Sequence, residues 1–264
     1  MIKVDKCTGT EIKRSSIHGV QLSITKYEPH QEIEPHYHEY PYFSMVLRGG
    51  YLEKNELETT SVDSGSLVKR PAGYVHQNSF LKQPSHCFNV EFSSRRLPFY
   101  LTRLNDYSVE RGQVSNLRMW RILNAFVGNE PALNIECLLG DMTETQQTSK
   151  QASVHVQGWL RRIDEYLHTH FASAVSLQDL SNVAHVSPIY MIRAFKKHYG
   201  MTIGEYHSQI RVTHAVDSIL RSDKTLSEIA HYYGFYDLSH MSNKVKLTFG
   251  VSPQQLRKNF KRFI

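Results

Sequence analysis

Two groups of residues in this 264-residue chain have the types and spacing for chemistry. The first is imidazole. His36 and His38 are one residue apart, so an extended strand would turn both rings to one face, because side chains alternate with period two. A third ring, His76, follows a turn shaped by Gly65, Pro71 and Gly73. Three neutral imidazoles can hold Zn²⁺ or Fe²⁺ with a position left open, or can line a pocket by hydrogen bonding with no metal. The second group is cationic. Arg193, Lys196 and Lys197 fall largely outside the face that Met191 and Phe195 share on a predicted helix. Such a helix is sized for the major groove of DNA, where an arginine can pair bidentately with guanine.

The elements that must position that helix occur twice. Ser176 with Asp179, and Thr225 with Glu228, have the hydroxyl-x-x-acid spacing of a helix N-terminal capping box. They lie 49 residues apart, whereas Gly200 and Gly250, like Thr202 and Ser252, lie 50 apart, so the turn of the second copy has gained a residue. Leu177, Leu180, Val183 and Ala184 supply the buried face of one short helix, and Leu226, Ile229, Ala230 and Tyr233 that of its counterpart. Gly234 suits the positive φ that closes such a helix, and Ser187-Pro188 suits a helix start. Between the copies, Thr202 and Glu205 form a third capping box that opens a helix predicted over Gly204 to Leu220. At ~1.5 Å per residue it spans roughly 26 Å, a spacer that could set two helices into successive major grooves.

From Val156 to Arg257 the chain resembles the paired helix-turn-helix domain of AraC-type transcriptional regulators. The resemblance is carried by Ser187, Pro188, Met191, Arg193, Phe195, Lys196 and Lys197, by Gly200-Met201-Thr202, Glu205, Tyr206, Arg211 and Ala215, and by Ile229, Ala230, Gly234, Phe235, Asp237, Gly250 to Pro253 and Arg257. Ser181 departs from the usual Ala, and Met241, Asn243 and Val245 replace the usual Phe, Arg and Phe of the second recognition helix. The resemblance implies a DNA-contacting set. It comprises Ile189, Tyr190, Ile192, Arg193, Lys196 and Lys197 in the first helix, and Leu238, Ser239, His240, Ser242, Asn243, Lys244 and Lys246 in the second. Only the first carries a guanidinium for base readout; Lys244 and Lys246 are expected at phosphates, which position without specifying.

Charge separates the chain into halves. Residues 1–155 hold 17 Lys and Arg against 17 Asp and Glu; residues 156–264 hold 14 against 8, the whole net charge of +6. A neutral half joined to a basic half reads as a sensor and a polyanion binder. No apolar run approaches the ~18 residues of a membrane span. The N-terminus lacks the apolar core of a secretory signal. Cys7, Cys87 and Cys137 are odd in number and in no metal pattern, as expected of free thiols in a cytoplasmic protein.

The first half is strand-rich over Val20–Tyr27, Phe43–Leu47, Ser66–Lys69 and Cys87–Phe92, with turn residues between, which predicts an all-β sandwich or barrel. His36, His38 and His76 together resemble the two motifs of the cupin fold, with Tyr42 and Phe43 near where that fold carries a Glu. In AraC-type regulators this domain is generally a ligand sensor, so the resemblance implies an effector site without a cofactor or catalysis, lined by His36, His38, Tyr42, Tyr51, Tyr74 and His76, with Tyr40 and Asn89 near the mouth. A plain aromatic core would have the same composition. Ser94 to Pro98 ends the β-rich region. Leu117, Trp120, Leu123 and Val127, then Ile135, Leu138, Leu139 and Met142, predict two amphipathic helices, which either mediate dimerisation or pack on the sandwich. Gln146 to Ser153 reads as a linker.

These readings combine into a multidomain β-then-α chain. A cupin-like β-barrel over 1–95 precedes a helical dimerisation and linker region over 96–150 and an all-α tandem helix-turn-helix over 156–264. The expected function is a non-enzymatic, cytoplasmic transcriptional regulator. Its expected partners are double-stranded DNA, a small effector, a second copy of itself and RNA polymerase, with no membrane. The rival is a cupin metalloenzyme, an oxygenase or isomerase, tethered to DNA.

Overall fold

The computed structural model describes residues 2–3, 8–17, 19–92, 106–111, 114–144 and 154–263. Cys7, the break at Ser94 to Pro98 and the linker at Gln146 to Ser153 lie outside the described residues. Two compact units emerge, one of residues 1–111, 118–140 and 258–264, the other of residues 112–117 and 141–257.

The first unit holds two sheets. In chain order its strands are β1 (Ile2–Lys3), β2 (Thr10–Ile17), β3 (Val20–Tyr27), β4 (Glu32–Tyr37), β5 (Tyr42–Arg48), β6 (Gly50–Lys54), β7 (Thr59–Asp63), β8 (Ser66–Arg70), β9 (His76–Phe80), β10 (Ser85–Phe92) and β11 (Ser108–Arg111). One sheet orders them β1-β4-β9-β6-β7 and the other β11-β8-β5-β10-β3-β2. All pairings are antiparallel except the short β1–β4 one. The four expected strands are present as β3, β5, β8 and β10. β2 was not legible because only Ile17 of its residues is buried; the long pairing with β3, not an apolar alternation, makes it a strand. β9, His76-Gln-Asn-Ser-Phe, is similarly polar.

Alternation along the six-stranded sheet sorts its side chains onto two unlike faces. One face carries Leu22, Ile24, Met45, Leu47, Leu67, Phe88 and Val90, all buried. Helix α1 (Val114–Val127) belongs with this face: Phe126 stacks on Phe88 at 5.7 Å between centroids. From β2, Lys13 Nζ donates to the carbonyl oxygens of Phe126 at 2.7 Å and Val127 at 3.3 Å and to Asn129 Oδ1 at 2.6 Å, capping the C-terminus of α1. The opposite face meets the five-stranded sheet. There Tyr27, Val46, Val68 and Cys87 pack with Tyr51, Val62 and Phe80 of the other sheet. Val109 and Ile33 pack against this cluster, and beside it the inner face carries the buried polar residues Ser23, Thr25, Ser44 and Asn89.

Of the two amphipathic helices, α1 thus packs on the sandwich. In α2 (Ala132–Glu144), Ile135 and Leu139 are buried, while Leu133 and Cys137 are exposed.

The second unit is helical: α3 (Val154–Thr169), α4 (Leu177–Ala184), α5 (Pro188–Tyr199), α6 (Ile203–Arg221), α7 (Leu226–Tyr232), α8 (Leu238–Phe249) and α9 (Pro253–Phe260), whose last residues fall in the first unit. All three expected capping boxes form, at Ser176/Asp179, Thr202/Glu205 and Thr225/Glu228, each closed by both reciprocal hydrogen bonds. Gly200 and Gly250 end α5 and α8 in the left-handed conformation. Trp159, Leu160, Ile163 and Leu167 of α3 join Leu180, Ala184, Met191, Phe195, Ile203, Tyr206 and Ile210 in one core. Further along α6, Ala215, Val216 and Ile219 are buried, as are Ile229, Ala230, Met241 and Val245 of the second copy. The spacer helix therefore serves both copies, and at 19 residues it is slightly longer than its pattern predicts.

Candidate functional site

On α5 the buried anchors are Met191 and Phe195, both without solvent exposure. They fix the rotation of the helix, and Ile189, Tyr190, Ile192, Arg193, Lys196 and Lys197 are all exposed. Pro188 starts the helix after Ser187, whose side chain makes no capping hydrogen bond. On α8 the anchors are Met241, Val245 and Phe249. Leu238, Ser239, His240, Asn243 and Lys246 are exposed, and Ser242 and Lys244 half-buried. Asp237 caps α8 by accepting from the His240 N–H at 2.6 Å. His240 itself is partly engaged, its Nδ1 accepting from the Tyr236 N–H at 3.3 Å. The structure thus places the thirteen-residue set on two helices with like anchoring and unlike chemistry, α5 with Arg193 and α8 with Asn243 at the matching position.

Sequence reasoning passed over the side chains that lock this surface. Arg211 of α6 donates from Nε to Phe171 O at 2.6 Å, from Nη2 to Ser173 O at 2.7 Å and from Nη1 to Gly234 O at 3.2 Å. One guanidinium thereby ties the loop before α4 to the turn between α7 and α8. Arg257 caps the end of α6 through Ile219 O and Lys224 O, both at 2.8 Å, and Arg162 caps α4 through Val183 O and Ala184 O. Only the family pattern, for Arg211 and Arg257, marked any of these as important. Tyr236, 93% exposed two residues before α8, was also passed over, although a bare ring beside a groove-sized helix is a candidate contact.

The second candidate site lies in the β-rich unit. β4 and β9 pair His36 with His76 directly, and His38 follows one residue past the strand end with its ring still buried. The three histidines offer nitrogen atoms that all lie within 4.8 Å of one another. Ring centroids are 4.3 Å apart for His36 and His76, 5.4 Å for His36 and His38 and 5.9 Å for His38 and His76. Nδ1 of His36 donates to Glu34 O at 2.8 Å and Nδ1 of His76 to Tyr74 O at 3.1 Å, which leaves their Nε2 atoms as acceptors. Across the interior, the Tyr42 hydroxyl donates to His76 Nε2 at 3.0 Å.

Beside them an ion pair bridges the two sheets. Arg70 ends β8 and Glu53 lies on β6; both are almost fully buried. Nε donates to Glu53 Oε1 at 3.0 Å, and Nη2 donates to Glu53 Oε2 and to the Tyr51 hydroxyl, the latter at 2.7 Å. Asn78 Nδ2 adds a bond to Glu53 Oε2 at 3.3 Å. The guanidinium carbon sits 4.8 Å from the Tyr42 ring centroid, the same ring that abuts His38 at 4.3 Å. Burial works against the charge of Arg70, but Glu53, Tyr42 and Tyr51 together outweigh it and keep the guanidinium protonated. The polar lining continues along the inner face. Ser44 Oγ donates to Asn89 Oδ1 at 2.8 Å, and Asn89 Nδ2 donates to Thr25 Oγ1 at 3.2 Å. Of the residues expected in this site, His36, His38, Tyr42 and His76 are brought together. Tyr51 joins through Arg70, Tyr74 stacks on His76 at 5.4 Å, Asn89 lies in the lining network, and Tyr40 is half-buried. Arg70 and Glu53 were not foreseen.

Three imidazole nitrogens alone suit a divalent cation, but the surroundings do not. His76 Nε2 already takes the Tyr42 hydroxyl, both oxygens of Glu53 are engaged by Arg70, and a guanidinium stands beside the cluster. Among the described residues no free carboxylate joins the three histidines to offset a dication, so these residues fit a metal poorly.

Burial, followed by the charges of His36 and Arg70, holds His38 down to about 3, and burial followed by Arg70 holds His76 far below its usual range. The unfolded chain therefore takes up protons below pH ~6.5 that the folded chain refuses. Stability is complete above that pH and falls as pH drops toward the folded value. His38 and His76 should each remove about 2 kcal/mol at pH 5, at about 1.4 kcal/mol per pH unit. Urea unfolding of the wild type and of His38→Gln at pH 7 and pH 5 checks this: the variant should lose about 2 kcal/mol less over that interval. An unchanged pH slope would mean that His38 titrates as an exposed histidine.

A family profile described as "Helix-turn-helix domain" matches residues 180–259. The chain is 31% identical over 99 residues, 38% of its own length and 47% of the other's, to the "Bifunctional transcriptional activator/DNA repair enzyme AdaA" of Bacillus subtilis (strain 168). The match thus spans about half of that relative. It is 21% identical over 236 residues, 84% of this chain and 82% of the other, to the "Uncharacterized HTH-type transcriptional regulator YijO" of Escherichia coli (strain K12). Among solved structures, ToxT from Vibrio cholerae aligns over 92% of this chain and 99% of its own, at 11% identity and a TM-score of 0.38.

Proposed function

We propose that this chain is a transcriptional regulator of the AraC type, that it binds paired sites on double-stranded DNA through α5 and α8, and that a small effector inside the β-sandwich biases that binding. The helix-turn-helix match over residues 180–259 and the similarity to HTH-type regulators support this reading. The observation that carries the reading is the outward face of α5. Buried Met191 and Phe195 leave Arg193, Lys196 and Lys197 exposed beside Ile189 and Ile192, a surface with both base-reading and phosphate-binding groups. Effector control is linkage: a ligand shifts the equilibrium only by its differential affinity for two arrangements of the protein. The polar inner face of the sandwich supports such a site. The exposed Leu133 and Cys137 on α2 support a homodimer contact there, and RNA polymerase is the further partner that this class of function calls for. No helix among the described residues is long and apolar enough to cross a membrane, in keeping with a cytoplasmic regulator. The histidine cluster serves the effector and not a metal, and the protein is not an enzyme.

The test is selection of bound sequences from random DNA by the full chain, then binding of the selected site by variants. Arg193→Ala should weaken binding by about 1–3 kcal/mol and relax preference at one base pair, because a bidentate arginine–guanine pair is lost. Asn243→Ala should cost less. Equal losses, or a larger loss from Asn243, would reverse the assigned hierarchy of the two helices. No enrichment of any sequence would remove the function itself.

A further inference from the structure

We propose that the effector is a small organic acid whose carboxylate accepts hydrogen bonds from Nη1 of Arg70 inside the β-sandwich; this deepens, and rests on, the effector reading above. Arg70 is 2% exposed, and its Nε and Nη2 are committed to Glu53 and Tyr51. Nη1 is buried and has no hydrogen-bond partner among the described residues. A buried guanidinium nitrogen without an acceptor is destabilising, and a carboxylate is the strongest acceptor for it.

The surroundings agree. An interior built only for packing would be apolar, yet Ser23, Thr25, Ser44 and Asn89 occupy the inner face of the six-stranded sheet while its leucines and phenylalanines occupy the other. Among the described residues Glu53 is the one carboxylate bonded to Arg70, and the three nearby imidazoles bring no negative charge. Burial foremost, and with it the field of Arg70, disfavours protonation of all three, so the place is unfavourable to amines, and the guanidinium favours a monoanion. A phosphate would bring a second charge that one half-neutralised guanidinium does not offset. Flat rings frame the place: Tyr42 lies against the guanidinium at 4.8 Å, and Tyr74 stacks on Tyr107 at 4.7 Å. They suit a ligand with a planar apolar body.

The probes are benzoate and acetate, with benzamide as the uncharged shape match of benzoate and inorganic phosphate as the dianion, all at fixed ionic strength. Thermal unfolding of the full chain is followed against the concentration of each. Benzoate and acetate should raise the midpoint, and benzamide and phosphate should need about tenfold more or fail. Arg70→Lys keeps a cation for Glu53 but has no Nη1, and should lose the benzoate response about tenfold. The double variant E53Q/R70Q, which buries no charge, should lose it too and reports on a folded interior if Arg70→Lys does not fold. Benzamide matching benzoate, phosphate outdoing it, a full response in both variants, or no response to either acid overturns the inference. Binding of the selected DNA separates the two readings. A neutral ligand that shifts DNA affinity when no acid does removes the organic acid and leaves effector control standing. Acids that bind through Arg70 without moving DNA affinity leave the site standing and remove the control.

Discussion

Gly234→Ala should disrupt the second helix-turn-helix and abolish specific DNA binding. The glycine closes the turn after α7 with φ +71, a conformation that alone strains an L side chain by about 1–2 kcal/mol. Space decides the rest. A Cβ there would lie 2.0 Å from the carbonyl oxygen of Ala172, 2.7 Å from its carbonyl carbon and 2.9 Å from its Cα. These are backbone atoms, and the loop that holds them is pinned on both sides by Arg211 through Phe171 O and Ser173 O, with Gly234 O on the same guanidinium. Neither side can yield without breaking those bonds, so the loss should reach about 4 kcal/mol or more. Gly200→Ala is the internal control. Its φ is similar at +73, but nothing lies within 4 Å of the added Cβ, so it should cost only the conformational strain. Unfolding free energies and DNA affinities of both variants are the measurement. A Gly234→Ala protein within about 1 kcal/mol of Gly200→Ala would mean that the Arg211 clamp is looser than its geometry.

Arg70→Ala should destabilise the β-rich unit by about 3–5 kcal/mol, because it strands the Glu53 carboxylate in an interior where no other cation among the described residues is bonded to it. The energy lost is chiefly that of the unpaired charge, not the net worth of the pair. The double variant E53Q/R70Q removes both charges and should recover most of the loss. Denaturant unfolding of the three proteins reads this directly. If the double variant were as unstable as Arg70→Ala, the pair would hold the two sheets together by its own attraction, and the argument from an unpaired charge would fall.

The two predictions draw on different kinds of legibility. Most of what is repeated or local in the helical unit could be read along the chain, although Leu177, expected on the buried face of α4, is 46% exposed. The three hydroxyl-x-x-acid pairs are capping boxes, the paired glycines are left-handed caps, and Met191 and Phe195 set which way Arg193 points. Those features involve residues within one or two turns of each other, where the backbone geometry of a helix fixes who meets whom. His36, His38 and His76 were legible for the same reason, one period-two spacing and one glycine- and proline-shaped turn. Only the tertiary structure decided which face of the six-stranded sheet became the apolar packing surface and which the polar lining. Alternation marks two faces and does not say which one a distant helix will cover; Phe126 on Phe88 answers that. Nor does alternation reveal partners across sheets. Arg70 and Glu53 look like ordinary surface charges in a strand-rich stretch, and Arg211 like an exposed helix residue. Each became a structural tie only when separate segments closed around it, because an ion pair or a carbonyl clamp depends on distance in space and not on spacing in sequence.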